Sequence, residues 1–230
     1  MSGARGTQLA LRFPLSARCH FESFVPGANA ELVRRLEDLD AGERGFRGYL
    51  LFGEAGVGKT HLLQAACHRH GAGGAMYLPL TEVAPAMLEG LDTRYLVALD
   101  DVDAWLGDAA AERALLALYQ GLLERRGRLL VSAAGPPGGL TCHFADLASR
   151  LCGLAAYRVH ALADADKADV LQRLARERCL ALPRPVLDFW LARGSRDMAV
   201  LLDQLEALDE AAMAAQRRLT VPLVKDVLGL

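Results

Sequence analysis

Residues 48–70 read GYLLFGEAGVGKTHLLQAACHRH, and the fold turns on this stretch. An apolar run from Tyr49 to Phe52 meets a glycine-rich turn, after which Leu62, Leu63, Ala65 and Ala66 recur at helical spacing. Gly53 followed by Gly58-Lys59-Thr60 fits the pattern G-x-x-x-x-G-K-[ST], and the order strand, loop, helix is the context that pattern requires. In such a loop the backbone N–H groups of Gly56, Val57 and Gly58 converge on phosphate oxygens at a helix N-terminus. Lys59 is placed to reach the β/γ-phosphates and Thr60 to hold Mg²⁺. A chance Lys-Thr after a glycine-rich turn would lack the flanking strand and helix.

The chain has 230 residues, 52% apolar and 23% charged, which suits a soluble globular protein with one nucleotide-binding domain and a small companion. A formal net charge of −2 gives no global attraction to nucleic acid, so contact with DNA is expected only through a partner. Cysteines at 19, 67, 142, 152 and 179 are odd in number and show no C-x-x-C spacing. Neither a disulfide framework nor a zinc site is implied, and buried reduced thiols are expected. Arg5, Arg12 and Arg18 interrupt the N-terminal apolar runs, and no segment reaches membrane-spanning length, so a cytoplasmic location is expected.

Residues 1–20 are small, basic and aperiodic and read as a flexible tail. Inside it, Gln8-Leu9-Ala10-Leu11-Arg12-Phe13 carries three large apolar groups with nothing of its own to bury them against, as an edge strand or a partner-binding peptide would. Residues 21–161 alternate strand and helix signals. Asn29 is positioned to cap a helix bearing Leu32, Val33, Leu36 and Leu39; strands are expected at 75–80, 95–99, 129–131 and 156–160. Thr81 reads as the cap of a short helix, and a long helix over 109–126 reads as stopped by Gly127. The alternation predicts an α/β domain with a doubly wound parallel sheet. From 162 to 230 only helical signals remain, near 165–178, 184–193, 196–215 and 221–228, predicting a small all-helical domain. Trp105 and Trp190 read as core, and His61 as a residue of the helix surface beside the loop.

Asp100 ends a continuous apolar run, the position from which a carboxylate reaches Mg²⁺ or its waters in phosphate-loop proteins. Asp101, next in the chain, is placed to orient an attacking water, although two acids at a strand end can also simply open a turn.

These segments together resemble the AAA+ ATPases and, within them, the DnaA-type replication initiators. The resemblance covers residues 21–230 and is carried by FVPGAN at 24–29, GEAGVGKT at 53–60, LVALDD at 96–101, LASRL at 147–151 and AQRRLTVPLVKDVL at 215–228. The initiators' DNA-binding helix-turn-helix domain has no counterpart here, and the likeness is closer to the Hda family of DnaA regulators. That family implies an adenine nucleotide, ADP or ATP, bound with Mg²⁺ between the α/β domain and a helical lid. It implies DnaA and the DNA polymerase sliding clamp as partners, with hydrolysis of DnaA-bound ATP stimulated. It also implies an arginine finger acting in trans at Arg150, a residue that would otherwise read as an ordinary surface arginine. The hexamer at 8–13 resembles bacterial clamp-binding peptides, with Gln8 leading and Leu9, Leu11 and Phe13 as apolar contacts.

Two departures bear on intrinsic hydrolysis. Ala134 stands where the family usually has an acidic residue, leaving Ser132 to sense phosphate. Matching apolar positions puts Ala199 where the family has a phosphate-contacting arginine, with Arg196 about one turn earlier as the substitute. Weak hydrolysis and an ADP-bound working state follow as expectations. The competing readings are a self-assembling ATPase such as a helicase loader, and a truncated initiator that binds DNA directly.

Overall fold

The computed structural model describes residues 13–39, 45–195, 197–215 and 218–230. After helix α1 (Ala30–Glu37) come β1 (Arg47–Phe52), α2 (Lys59–Gly74), β2 (Ala75–Pro79), β3 (Leu96–Asp100), α3 (Ala109–Arg125), β4 (Arg128–Ala133), α4 (Ala145–Cys152) and β5 (Ala155–Arg158). The strands pair in the order β2-β3-β4-β1-β5, every pairing parallel. Parallel neighbours need crossover connections, which the helices supply.

Side-chain alternation splits the core between the two faces of the sheet. Leu50, Leu78, Val97, Leu99 and Val131 pack with Leu115, Leu118 and Leu122 of α3 and Leu147 and Leu151 of α4. Their neighbours Leu51, Tyr77, Ala98 and Leu130 pack with Leu32 and Leu36 of α1 and Leu62 and Leu63 of α2. Helices on both faces bury the central strands completely, which is why β3 is apolar until its last residue. This is the expected doubly wound parallel sheet.

The rest of the chain is helical: α5 (Asp164–Glu177), α6 (Arg184–Arg193), α7 (Met198–Ala215) and α8 (Val221–Leu228). They enclose a core of their own around Leu171, Leu187, Trp190, Leu201, Leu205 and Leu208. Trp190 is fully buried, and its indole N–H donates to Gln204 Oε1 at 2.8 Å. Trp105 is buried in the α/β core and donates to the Leu80 carbonyl at 2.7 Å.

Several local expectations give way to tertiary bonding. Asn29 does not cap α1 with its side chain; its amide exchanges two 2.8 Å hydrogen bonds with the backbone of His160. Thr81 starts no helix, and the next helical turn is a 3₁₀ segment at Pro85–Leu88. Helix α3 is capped by Asp108 and ends on Arg126 in the left-handed conformation (φ 58°), with Gly127 supplying the N–H that closes onto Leu122. Only Cys67 is buried, its thiol pushed up to about 12 by burial, whereas Cys152 and Cys179 are exposed. Residues 13–20, read as the end of a flexible tail, are packed: Phe13 and Leu15 are half-buried against the core, and the Ser16 N–H donates to Gln64 Oε1 at 2.8 Å. Residues 1–12, with Gln8, Leu9 and Leu11, lie outside the described residues.

Glu112 on α3 fixes the entry to α4. The carboxylate is fully buried and accepts N–H bonds from Gly107 (2.7 Å), His143 (2.7 Å) and Phe144 (2.8 Å), the last two directly preceding α4. Burial alone would raise its pKa, but the three N–H donors outweigh it and hold the carboxyl below the ordinary glutamate value. Because the folded pKa is depressed, the stabilisation is complete above the unfolded value of about 4.3 and is lost as pH falls through the folded one. Glu112→Gln is expected to cost about 1.5–3 kcal/mol at neutral pH. In denaturant unfolding at pH 7 and pH 3, the gap between variant and wild type should close at the lower pH.

Candidate functional site

The glycine-rich loop joins β1 to α2 at the carboxyl end of the sheet. Gly58, the N-cap of α2, has φ 101° and Gly56 has φ 75°, both in the region that a side chain resists. Packing adds a second constraint. A Cβ on Gly58 would lie 2.7 Å from the Phe24 ring, and one on Gly56 would lie 2.7 Å from the Asp197 carboxylate. The loop is thus enclosed from two sides, by the 24–29 segment and by the residue just before α7. Val57 is half-buried against the core on the α2 face.

Lys59 is only 9% exposed, and its ammonium donates to the carbonyls of Gly53 (2.7 Å) and Glu54 (2.8 Å). An ammonium has three N–H bonds, so one remains for an oxygen brought into the loop. Thr60 is exposed in the first turn of α2. His61, half-buried beside it, contacts the His20 carbonyl at 2.9 Å; burial, the largest effect, lowers its pKa against that bond.

Asp100 is 3% exposed at the end of β3. The Tyr77 hydroxyl of β2 donates to its Oδ2 at 2.8 Å, and the Ser132 hydroxyl of β4 donates to its Oδ1. Asp101 is exposed with φ 57°, and its N–H donates to Ser132 Oγ at 2.7 Å. Partial burial, then the charge of Asp100, raises the Asp101 pKa, and the Lys59 charge opposes the rise. Ser132, expected to sense phosphate, has its hydroxyl taken up by Asp100, while the Ala134 N–H donates to Asp103 Oδ2 at 2.8 Å. Sequence reasoning missed Tyr77 and its neighbour Gln64. The signal was available: a tyrosine in a strand buried on both faces must find a partner for its hydroxyl.

Arg150 on α4 belongs to a separate constellation. Its Nε donates to both Asp146 oxygens at 3.1 Å, one terminal nitrogen approaches Gln120 Oε1 at 3.4 Å, and the guanidinium lies 5.0 Å from the Tyr119 ring centroid. Arg196 lies outside the described residues, but Asp197, which follows it, is the residue against Gly56. The N-terminal segment also reaches the helical domain, where Arg18 pairs with Asp203 at 2.5 Å and with Glu206, both on α7.

Among the described residues no group of three or more His, Cys, Asp or Glu side chains could hold a metal ion unaided. Mg²⁺ carried on phosphates needs only one or two protein ligands. Thr60 and Asp100 are the residues that would hold it, and Lys59 with the positive-φ loop would take the phosphates. No helix among the described residues is long and apolar enough to cross a membrane.

Comparison with known proteins follows this division. Residues 15–73 match the family model of the bacterial DnaA ATPase domain, and residues 164–228 match that of the Hda lid domain. Domain III of the Thermotoga maritima replication initiation protein DnaA superposes with a TM-score of 0.78 at 16% identity, over 94% of this chain and 98% of that one. AMPPCP-bound DnaA from Aquifex aeolicus gives 0.68 at 18% identity over 86% and 66%. The Thermotoga maritima RuvB Holliday junction branch migration motor gives 0.68 at 15% identity over 91% and 71%. At these identities the structures speak for the fold alone, while the two family models speak for the lineage. The chain is a DnaA-related AAA+ protein with an Hda-type lid domain.

Proposed function

We propose that this protein binds an adenine nucleotide with Mg²⁺ in its glycine loop and acts as a regulator of replication initiation, bridging the DNA-loaded sliding clamp and DnaA and stimulating hydrolysis of DnaA-bound ATP. The observation that carries this reading is the union in one chain of a DnaA-type nucleotide-binding segment at 15–73 with an Hda-type lid at 164–228. In this reading the backbone of Gly53 to Gly58 and the third N–H of Lys59 hold the phosphates, and Thr60 and Asp100 would hold Mg²⁺, which would supply positive charge to the phosphates. Asp101, next to Asp100, is assigned to orient water, and Arg196 is assigned to contact the phosphates from the lid. The AMPPCP bound by the Aquifex aeolicus DnaA of like fold supports an adenine nucleotide. With the Ser132 hydroxyl occupied at Asp100, the nucleotide is held more than turned over, and ADP is the working ligand.

Arg150 acts on the partner's ATP. Its pairing with Asp146 is solvent-exposed and therefore worth little, about 0–1 kcal/mol, so the guanidinium can leave it for a phosphate. A guanidinium supplied in trans accelerates phosphoryl transfer roughly 10³- to 10⁵-fold. The peptide at 8–13 engages the clamp. Burying Leu9, Leu11 and Phe13 contributes about 1.5–3 kcal/mol each, which ordering six residues at about 1–2 kcal/mol apiece roughly cancels. Leu15, docked on the core, anchors the end of the segment, Phe13 gives up its half-buried place to enter the clamp, and a second contact through DnaA adds avidity.

Three measurements follow. Lys59→Ala should weaken ADP binding about 10- to 100-fold in calorimetry, the loss of a charge-assisted hydrogen bond; unchanged affinity would remove the phosphate-loop assignment. Arg150→Ala should retain ADP and clamp binding yet lose stimulation of DnaA's ATP hydrolysis, and equal stimulation by the two proteins would place the finger elsewhere. Gln8→Ala should abolish clamp pull-down with the melting temperature unchanged, whereas Phe13→Ala should lower both, because Phe13 is half-buried; clamp capture undiminished in both variants would discard the peptide.

A further inference from the structure

A chain of contacts leads from the N-terminal segment to the carboxylate at the nucleotide site. The Ser16 N–H donates to Gln64 Oε1 at 2.8 Å, and the Gln64 side chain, buried on α2, lies beside the Tyr77 hydroxyl. That hydroxyl donates to Asp100 Oδ2 at 2.8 Å. Tyr77 is itself buried, and its phenolic O–H is the donor of that bond. Gln64, Tyr77 and Asp100 are buried, so the orientation of each depends on the neighbour it bonds, while Ser16 at the outer end of the chain is exposed.

We propose that Tyr77 is a positioning residue for Asp100, and that through Gln64 it couples the Mg²⁺-binding geometry to the docking of residues 13–16. The inference rests on the nucleotide reading given above and goes beyond it by assigning roles to Tyr77, Gln64 and Ser16. With the hydroxyl in place, one carboxylate oxygen is held by Tyr77 and the other by Ser132, so the plane of the group and its free lone pairs are fixed. Without it the Oδ2 side turns freely. Reciprocity requires that whatever engages Asp100 also alters the hold on Ser16, and through Ser16 the segment leading to residues 8–13.

The test uses the full chain and two readouts. ADP affinity is measured with and without Mg²⁺, and hydrogen exchange is followed in the peptide that contains Ser16. In wild type, Mg²⁺ strengthens ADP binding, and Mg²⁺–ADP slows exchange at Ser16. Tyr77→Phe should bind ADP without Mg²⁺ as wild type does, lose about tenfold of the Mg²⁺ enhancement, as outer-shell changes around bound metals do, and lose the exchange response. Gln64→Met, which keeps the volume and removes the amide, should lose the exchange response too, and it serves where Tyr77→Phe folds poorly. A wild-type Mg²⁺ enhancement in Tyr77→Phe overturns the positioning role. An exchange response surviving in both variants overturns the coupling. Failure of the wild type to bind ADP at all would instead overturn the nucleotide reading, with this inference falling alongside it.

Discussion

A carboxylate at the end of a strand buried on both faces is the constraint around which this site is arranged. Removing a charge from water is costly unless hydrogen bonds replace the lost hydration, and Asp100 at 3% exposure has to find them in the protein. The strand order provides them, because β3 lies between β2 and β4, the strands that carry Tyr77 and Ser132. Tyr77 is in register with Ala98, two residues before Asp100, and residues two apart share a face of the sheet. That face is the one α2 covers, so the same alternation that buries Leu96 and Ala98 turns Asp100 toward the α2 side of the sheet. Topology and site chemistry are therefore one arrangement: another strand order would leave the acid without its donors.

Much of this was legible in the sequence. The pattern from Gly53 to Thr60 requires a strand before it and a helix after it, and β1 and α2 are there; the unbroken apolar run ending at Asp100 suits a strand buried on both faces, and β3 is one. What stayed hidden shares a physical cause, the dependence of a polar side chain on partners distant in the chain. Asn29 looks like a helix cap because local spacing allows it, yet His160, 131 residues away, offers a better pair of bonds. Ser132 stands at the family's strand-end sensor position, and what the sequence did not show is that its hydroxyl donates to Asp100. Phe13 looks like part of a free tail because nothing nearby in sequence could bury it, although both faces of the distant sheet contribute to its contacts.

The glycine loop is completed by parts of the chain far from it. Phe24 approaches Gly58 from the N-terminal side and Asp197 approaches Gly56 from the helical domain, so a side chain at either glycine would collide with a different structural unit. Arg18 then ties the N-terminal segment to α7 through Asp203 and Glu206. Ion pairs this exposed contribute little to stability. Their effect is on orientation, since the segment that covers Gly58 and the helix that follows Asp197 are held to each other as well as to the loop. In the proposed reading a nucleotide entering between them would meet both at once, and its occupancy would have a route to the lid and to the N-terminal segment.

Arg150 shows how a fixed support and a movable head are built from different interactions. Its helix is anchored by Glu112, whose three N–H bonds lie in a fully buried setting where an unpaired partner would be expensive. The guanidinium itself is held by weaker means, an exposed carboxylate four residues back, a long contact to Gln120 and the face of Tyr119. Buried bonds resist rearrangement, whereas exposed ones exchange readily with water or with an incoming anion. The backbone that delivers the arginine thus stays in place while the charged end can change partners, as the proposed action on a second protein's nucleotide would require.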